Sequence, residues 1–214
     1  ETQPSTAPES QTLSRPLKGR FAPSPSGRMH LGNVFCALIA WLSARSAQGK
    51  ILLRIEDLDP QRCRLEYALQ LEEDLRWLGL DWDEGGSFQK APTSFFQSRR
   101  SAFYEEELRK LEAQGLLYPC FCTRAELHAA EAPHDSDGNR IYSGRCFYRS
   151  PEERIRLSHS RVPALRIHVP EETVSFTDFL QGTVCENLAR DCGDFILRRS
   201  DGVHAYQLAV VCDD

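Results

Sequence analysis

The sequence has no apolar run long enough to cross a bilayer. Its longest, within Val34 to Leu42, falls far short of the ~20 residues that a spanning helix needs. An excess of basic charge is missing too. The formal net charge is −5, which argues against a protein that coats nucleic acid through a general positive field and leaves any RNA contact to a local patch such as Arg99-Arg100 or Arg198-Arg199. No internal repeat occurs. Low complexity is confined to the stretch Glu1 to Lys18, where Pro4, Pro8 and Pro16 lie among Ser and Thr without the apolar core of a signal peptide. We expect residues 1–18 to be a disordered tail on a cytoplasmic protein with no membrane partner. Absent as well is the dense cysteine framework of a small secreted domain: the eight cysteines are scattered apart from a group at 120, 122 and 146.

What is present is ordinary globular composition, 41% hydrophobic and 27% charged over 214 residues, enough chain for a substantial core. Gly19 to Ala22 reads as a short strand running into the turn Pro23-Ser24-Pro25-Ser26-Gly27. Phe35, Leu38, Ile39 and Leu42 then recur at helical spacing, Gly49 is placed to end that helix, and Ile51 to Ile55 reads as a buried strand. Strand, loop, helix, strand implies a parallel sheet. Two further stripes, Ala68-Leu71-Leu75-Leu78 before Gly79 and Tyr104-Leu108-Leu111 before Gly115, predict helices over it. Between Leu117 and Arg149 the pattern becomes irregular; beyond it Leu165–Val169, Thr173–Phe176 and Ala205–Val211 read as strands.

Chemistry concentrates in Arg20-Phe21-Ala22-Pro23-Ser24-Pro25-Ser26-Gly27-Arg28-Met29-His30-Leu31-Gly32-Asn33. A helix start carries unpaired N–H groups and the positive end of the dipole, so phosphates bind there. Gly32 permits close approach of a nucleotide, and His30 can donate to phosphate oxygens as charge develops. An isolated His-x-Gly, however, is more often just a turn and a helix cap.

The whole segment resembles the signature of the glutamyl-type class I aminoacyl-tRNA synthetases: the Arg-Phe-Ala-Pro-Ser-Pro run and the His-x-Gly-x form of their first ATP motif. Leu53 to Asp59, Trp77 to Asp83, Gly193 to Ile196, and Asp201-Gly202 with Tyr206 and Val210 to Asp214 also match in order, from Gly19 to the last residue. The resemblance implies a Rossmann-type doubly wound parallel sheet, an α/β fold, with a zinc-containing insertion. Residues 19–116 would form the first half of the nucleotide-binding catalytic domain, 117–150 the insertion, and 151–214 its remainder and the start of the second half. Arg20 would grip a carboxylate of L-glutamate, Glu56 its ammonium, Tyr206 would complete the pocket, and Phe21, Ala22, Pro23 and Ser24 would line it. His30, Gly32 and Asn33 would bind ATP, with His30 the catalytic residue and Mg²⁺ held largely by the nucleotide phosphates.

Cys120, Cys122 and Cys146 offer three soft ligands in a stretch without an apolar core, a reasonable start for a closed zinc site. On chemistry alone His128 or His134 would be the better fourth ligand, since Tyr is uncommon. The order Cys-x-Cys, then Tyr-x-x-x-Cys, is similar to the zinc site of the glutamyl-queuosine tRNA(Asp) synthetases within the family, which implies Tyr142. Ser26 and Leu58, standing where full glutamyl-tRNA synthetases usually have Thr, point the same way. That resemblance implies transfer of glutamate to queuosine in tRNA(Asp) by a monomer. The chain ends where the family continues to another arginine and a Lys-rich loop, so a fragment is expected, inactive alone. A truncated glutamyl-tRNA synthetase, or a paralogue that only binds tRNA or a partner, are the alternatives.

Overall fold

A computed structural model describes residues 17–87, 95–123, 125–126 and 141–214. The chain divides into two compact units, one reaching to Arg99 and the other running from Arg100 to Asp214.

In the first unit the expected strand–loop–helix–strand order is present: β1 (Lys18–Phe21), α1 (Leu31–Ser46), β2 (Lys50–Leu53), α2 (Leu65–Trp77) and β3 (Glu84–Gly85). The three strands lie in the order β1-β2-β3, all parallel, with Lys18 opposite Lys50 and Leu53 opposite Gly85. Leu53, Ile55, Leu71, Leu75, Leu80 and Phe96 form the core between sheet and helices. The helix is where the spacing of Phe35, Leu38, Ile39 and Leu42 predicts it, yet all four are exposed, Phe35 by 61%, and α1 buries Ala37 and Ala44 instead. Small residues are required on that face because the helix lies close on the strand: a Cβ added at Gly19 would come within 3.0 Å of the Ala44 Cβ.

The end of α1 also differs from expectation. Gly79 and Gly115 take the left-handed conformation after their helices, with φ of 77° and 72°, as a glycine at that position should. After α1 it is Gln48 that turns left-handed, at φ 54°, while the Gly49 N–H closes the helix by donating to Ala44 O at 2.8 Å. Gly49 is glycine for space: a Cβ there would lie 2.3 Å from Leu17 O. From α1, Arg45 reaches the turn before β3, donating to Asp83 at 2.8 Å and Asp81 at 3.0 Å. The Ile51 N–H donates to Asp83 and, with Arg45, holds its carboxyl below the usual range against the effect of burial.

The second unit contains α3 (Ser101–Ala113), β4 (Leu117–Cys120), α4 (Pro151–Ser158), β5 (Ala164–Ile167), the hairpin β6 (Thr173–Asp178) and β7 (Gly182–Asn187), α5 (Leu188–Asp191), β8 (Ile196–Arg198) and α6 (Tyr206–Asp213). β4, β5 and β8 form an antiparallel sheet in that order. Ala205–Val211, expected as a strand, is helical. A short apolar run does not distinguish the two periods, and tertiary ties decide for helix: Arg100 and Tyr104 on α3 hold Asp213, at 2.6 and 2.7 Å, while Leu208 and Ala209 are buried. No helix among the described residues is long and apolar enough to cross a membrane.

Gln48→Gly should raise stability by up to ~1 kcal/mol, relieving the left-handed penalty, and Gly49→Ala should lower it by ~1–3 kcal/mol through overpacking; thermal melts of both variants test the pair. For Asp83 the folded carboxyl titrates lower than the unfolded one. Its contribution is therefore complete above the ordinary carboxylate value of about 4 and is lost as pH falls through the folded value. Asp83→Asn should cost stability at pH 7, and the cost should shrink as pH falls below the ordinary carboxylate value, read by melts across the acid range.

Candidate active site and cysteine cluster

Between β1 and α1 the chain makes a turn whose prolines supply only acceptors, and each acceptor is used. Phe21 O takes the Arg54 N–H at 3.0 Å, Pro23 O the Glu56 N–H at 3.0 Å, and Pro25 O the Arg64 N–H at 3.1 Å. Pro23 and Pro25 are buried, so the turn is held as firmly as a strand.

His30 follows as the N-cap of α1. Its Nδ1 accepts the Gly32 N–H at 3.1 Å, and its own N–H donates to Asn33 Oδ1 at 3.2 Å, a reciprocal cap. With Nδ1 accepting, the proton of the neutral ring sits on Nε2, which makes that atom the donor available to a ligand. The hydrogen bonds show the cap reading of His-x-Gly, with Nε2 left for a ligand. Gly32 serves the ring: a Cβ there would lie 3.0 Å from His30 Cε1. α1 carries no acidic residue in its first turn, so no charge within that turn offsets the positive end of its dipole.

A cavity of about 530 Å³ lies at this helix start. It is lined by Arg20, Phe21, Ala22, Pro23, Ser24, His30 and Asn33 from the expected set, together with Ser26, Gly27, Arg28, Met29 and Cys36. Cys36 falls three residues beyond Asn33 on the same helix face, a spacing that could have flagged it. Glu56 and Gly32 are not among the lining residues. The Glu56 carboxylate instead accepts from Arg54 at 3.1 Å, both side chains being buried. Tyr206 belongs to the second unit, as the first residue of α6, and is exposed.

The second unit gathers the cysteines. Cys120 ends β4, and Gly144, left-handed at φ 71°, turns the chain so that Tyr142 and Cys146 return to it. The three sulfurs lie within 4.8 Å of one another, with Cys122 and Cys146 at 3.5 Å. Tyr142 Oη is 3.6 Å from Cys120 and 3.5 Å from Cys122, and accepts the Cys146 N–H at 3.1 Å. Zn–S bonds of ~2.3 Å and a Zn–O bond of ~2.0 Å in a tetrahedron imply edges of about 3.8 and 3.5 Å; the side chains present therefore fit a zinc ion with little movement. His128 and His134 lie outside the described residues. Burial pushes the Cys122 thiol up to about 12 and raises the Tyr142 phenol as well. Cys146 is also raised by burial, but hydrogen bonds from Tyr142, the Phe121 N–H and Arg149 outweigh that and bring it down to about 7. A divalent cation would favour the deprotonated form of all these ligands.

Residues 16–214 match the model of the class I tRNA synthetases (E and Q), catalytic domain, and the chain belongs to that family. It is 49% identical over 200 residues to the glutamyl-Q tRNA(Asp) synthetase of Nitratidesulfovibrio vulgaris and 49% identical over 203 residues to that of Symbiobacterium thermophilum, with 92% of this chain and 62% of each relative covered. It therefore spans about 62% of the length of those curated relatives. A glutamate–tRNA ligase 2 of Alkalilimnicola ehrlichii is 45% identical over 202 residues, covering 92% of this chain and 42% of that protein. Among solved structures, a glutamate tRNA ligase of Elizabethkingia meningosepticum, in complex with its amino acid, is similar at a TM-score of 0.78 and 28% identity, over 94% of this chain and 42% of the other.

Gly32→Ala should push the imidazole off its cap. We expect weaker ATP binding to the purified protein, on the order of 10-fold as for one lost charge-assisted hydrogen bond, with a melting temperature within a few degrees of the parent. Unchanged ATP affinity would remove His30 from the site.

Proposed function

We propose that this chain carries the glutamate-activating site of an enzyme that forms glutamyl-adenylate from L-glutamate and ATP and transfers the glutamyl group to queuosine in tRNA(Asp). The observation that carries the reading is the cavity holding Arg20 and the capped His30, in a chain 49% identical to a glutamyl-Q tRNA(Asp) synthetase. The glutamate carboxylate attacks the ATP α-phosphate, the bond to the β-phosphate breaks, and pyrophosphate leaves. No protein nucleophile is needed; the residues orient and stabilise charge. His30 donates from Nε2 to phosphate oxygens, supported by the N–H groups and dipole of α1. Arg20 engages a glutamate carboxylate with two parallel N–H donors, geometry that Lys cannot supply. Glu56, held in its pair with Arg54 beside the cavity lining, is the partner we assign to the substrate ammonium. Mg²⁺ arrives with the nucleotide, so no protein cage is required.

Zinc bound by Cys120, Cys122, Tyr142 and Cys146 would hold together a segment too polar to fold on an apolar core. The tRNA(Glu) ligase reading keeps one observation in its favour, the 45% identity to a glutamate–tRNA ligase 2.

Pyrophosphate exchange by the chain extended to the full span of its relatives separates the two. Exchange with L-glutamate and no tRNA supports the queuosine reading, and exchange only with tRNA(Glu) supports the other. Arg20→Ala should raise the KM for glutamate on the order of 30–100-fold, the loss of a bidentate charged pair, with little change for ATP; equal effects on both would refute its role.

A further inference from the structure

We propose that Arg149 and Arg166 are the counter-charges of the Cys120–Cys122–Tyr142–Cys146 metal site, two permanent guanidinium charges set against the excess negative charge of its ligands. The inference rests on the ligand set given above. Three thiolates around a dication leave a net charge of minus one, and an anionic oxygen ligand makes it minus two. Cys120 and Cys146 are buried, so this charge has little water to disperse it and needs protein cations close by.

Two arginines meet the requirement. β5 runs antiparallel to β4 with Arg166 opposite Tyr118 and Ala164 opposite Cys120, so Arg166 leaves the sheet on the same face as the Cys120 thiol. It is only 6% exposed, and its guanidinium carbon stands 3.9 Å over the Tyr142 ring centroid. Its Nη1 donates to the backbone oxygen of Asp194 at 2.7 Å. The Asp194 carboxylate faces elsewhere, taking the Tyr118 hydroxyl at 2.5 Å and the Val169 N–H at 2.8 Å, with His168 at 3.3 Å. Arg149 lies three residues after Cys146 with its Nε buried, and its carboxylate neighbour, Glu153, is 3.7 Å away on the exposed start of α4. Of the other cations near the cluster, Arg145 reaches Glu126 at 3.9 Å, Arg161 donates to Phe121 O at 2.7 Å with Glu126 at 3.6 Å, and Arg154 donates to Phe147 O at 2.7 Å, so each is engaged by a carbonyl or a carboxylate.

The Nε–H groups of both Arg149 and Arg166 are buried without a hydrogen-bond partner among the described residues. A buried cation with an unmatched donor is costly in a metal-free protein, and an anionic metal complex alongside offsets that cost.

The test uses the whole chain with zinc and a competing chelator. Arg166→Met and Arg149→Met should each weaken zinc binding 10–100-fold, the range for partners that support metal ligands. Arg166→Lys and Arg149→Lys should bind zinc more tightly than the matching Met variants, since a charge remains although the planar fork is lost. The melting temperature of the metal-free Met variants should stay level or rise, whereas a packing role would lower metal-free and loaded melts together. With Co²⁺ in place of zinc, thiolate charge-transfer bands should persist in every arginine variant. Full zinc affinity in both Met variants, or Lys variants as weak as the Met ones, overturns the proposal. Cys146→Ala isolates the ligand reading: unchanged zinc stoichiometry there would sink the ligand set itself, while lost zinc with unaffected arginine variants would sink this inference alone. If a Met variant fails to fold, the Lys variants and their cobalt spectra still decide.

Discussion

A histidine that caps its own helix governs the first unit. Because His30 Nδ1 is committed to the Gly32 N–H, the ring cannot swing without uncapping α1, and the free nitrogen is left in a fixed tautomer at the positive end of a 16-residue helix. The turn before it is equally constrained, since the carbonyls of Phe21, Pro23 and Pro25 are all occupied by the following segments. Catalysis by positioning requires such preorganisation. Proline suits the turn because it sets φ and contributes no N–H to be left unpaired inside it.

The second unit is organised around buried polar groups. Asp194 joins β4, β5 and the start of β8 through Tyr118, Val169 and Arg166. Glu105 on α3 receives Arg198 at 2.8 Å and His204 at 2.9 Å, and Asp213 closes the other end of α6 onto α3. The helix that presents Tyr206 is thereby held at both ends by fully partnered charges. Such networks specify one arrangement more sharply than apolar packing does, at the expense of tolerance to truncation of any member.

Much of this was legible in the sequence because it depends on local chemistry. Strand, proline turn, cap and helix occupy consecutive residues, and the thiols of Cys120, Cys122 and Cys146 meet as their spacing suggests. What escaped depends on non-local packing. The apolar residues of α1 face outward because closeness to β1 demands Ala44 against Gly19, a fact about two elements that no single-helix pattern contains. The helical state of Tyr206–Asp213 comes from α3, across the 109 residues that separate Tyr104 from Asp213. Similarly, Gln48 adopts the left-handed turn because Gly49 is committed to passing under Leu17. Arg166 reached the thiol cluster through sheet register, which sequence alone leaves open.

The distribution of tryptophan gives the two units separate optical signatures. All three, Trp41, Trp77 and Trp82, fall before Arg99. Trp77 is 86% exposed and already emits from water, whereas Trp41 is tied to Asp81 at 2.8 Å and Trp82 lies beneath Arg76. Tryptophan fluorescence therefore reports melting of the first unit alone, dominated by Trp41 and Trp82, and is silent about the thiol cluster. A denaturation curve followed by that emission and one followed by metal release have no obligation to coincide, and their separation measures how far the two units unfold independently.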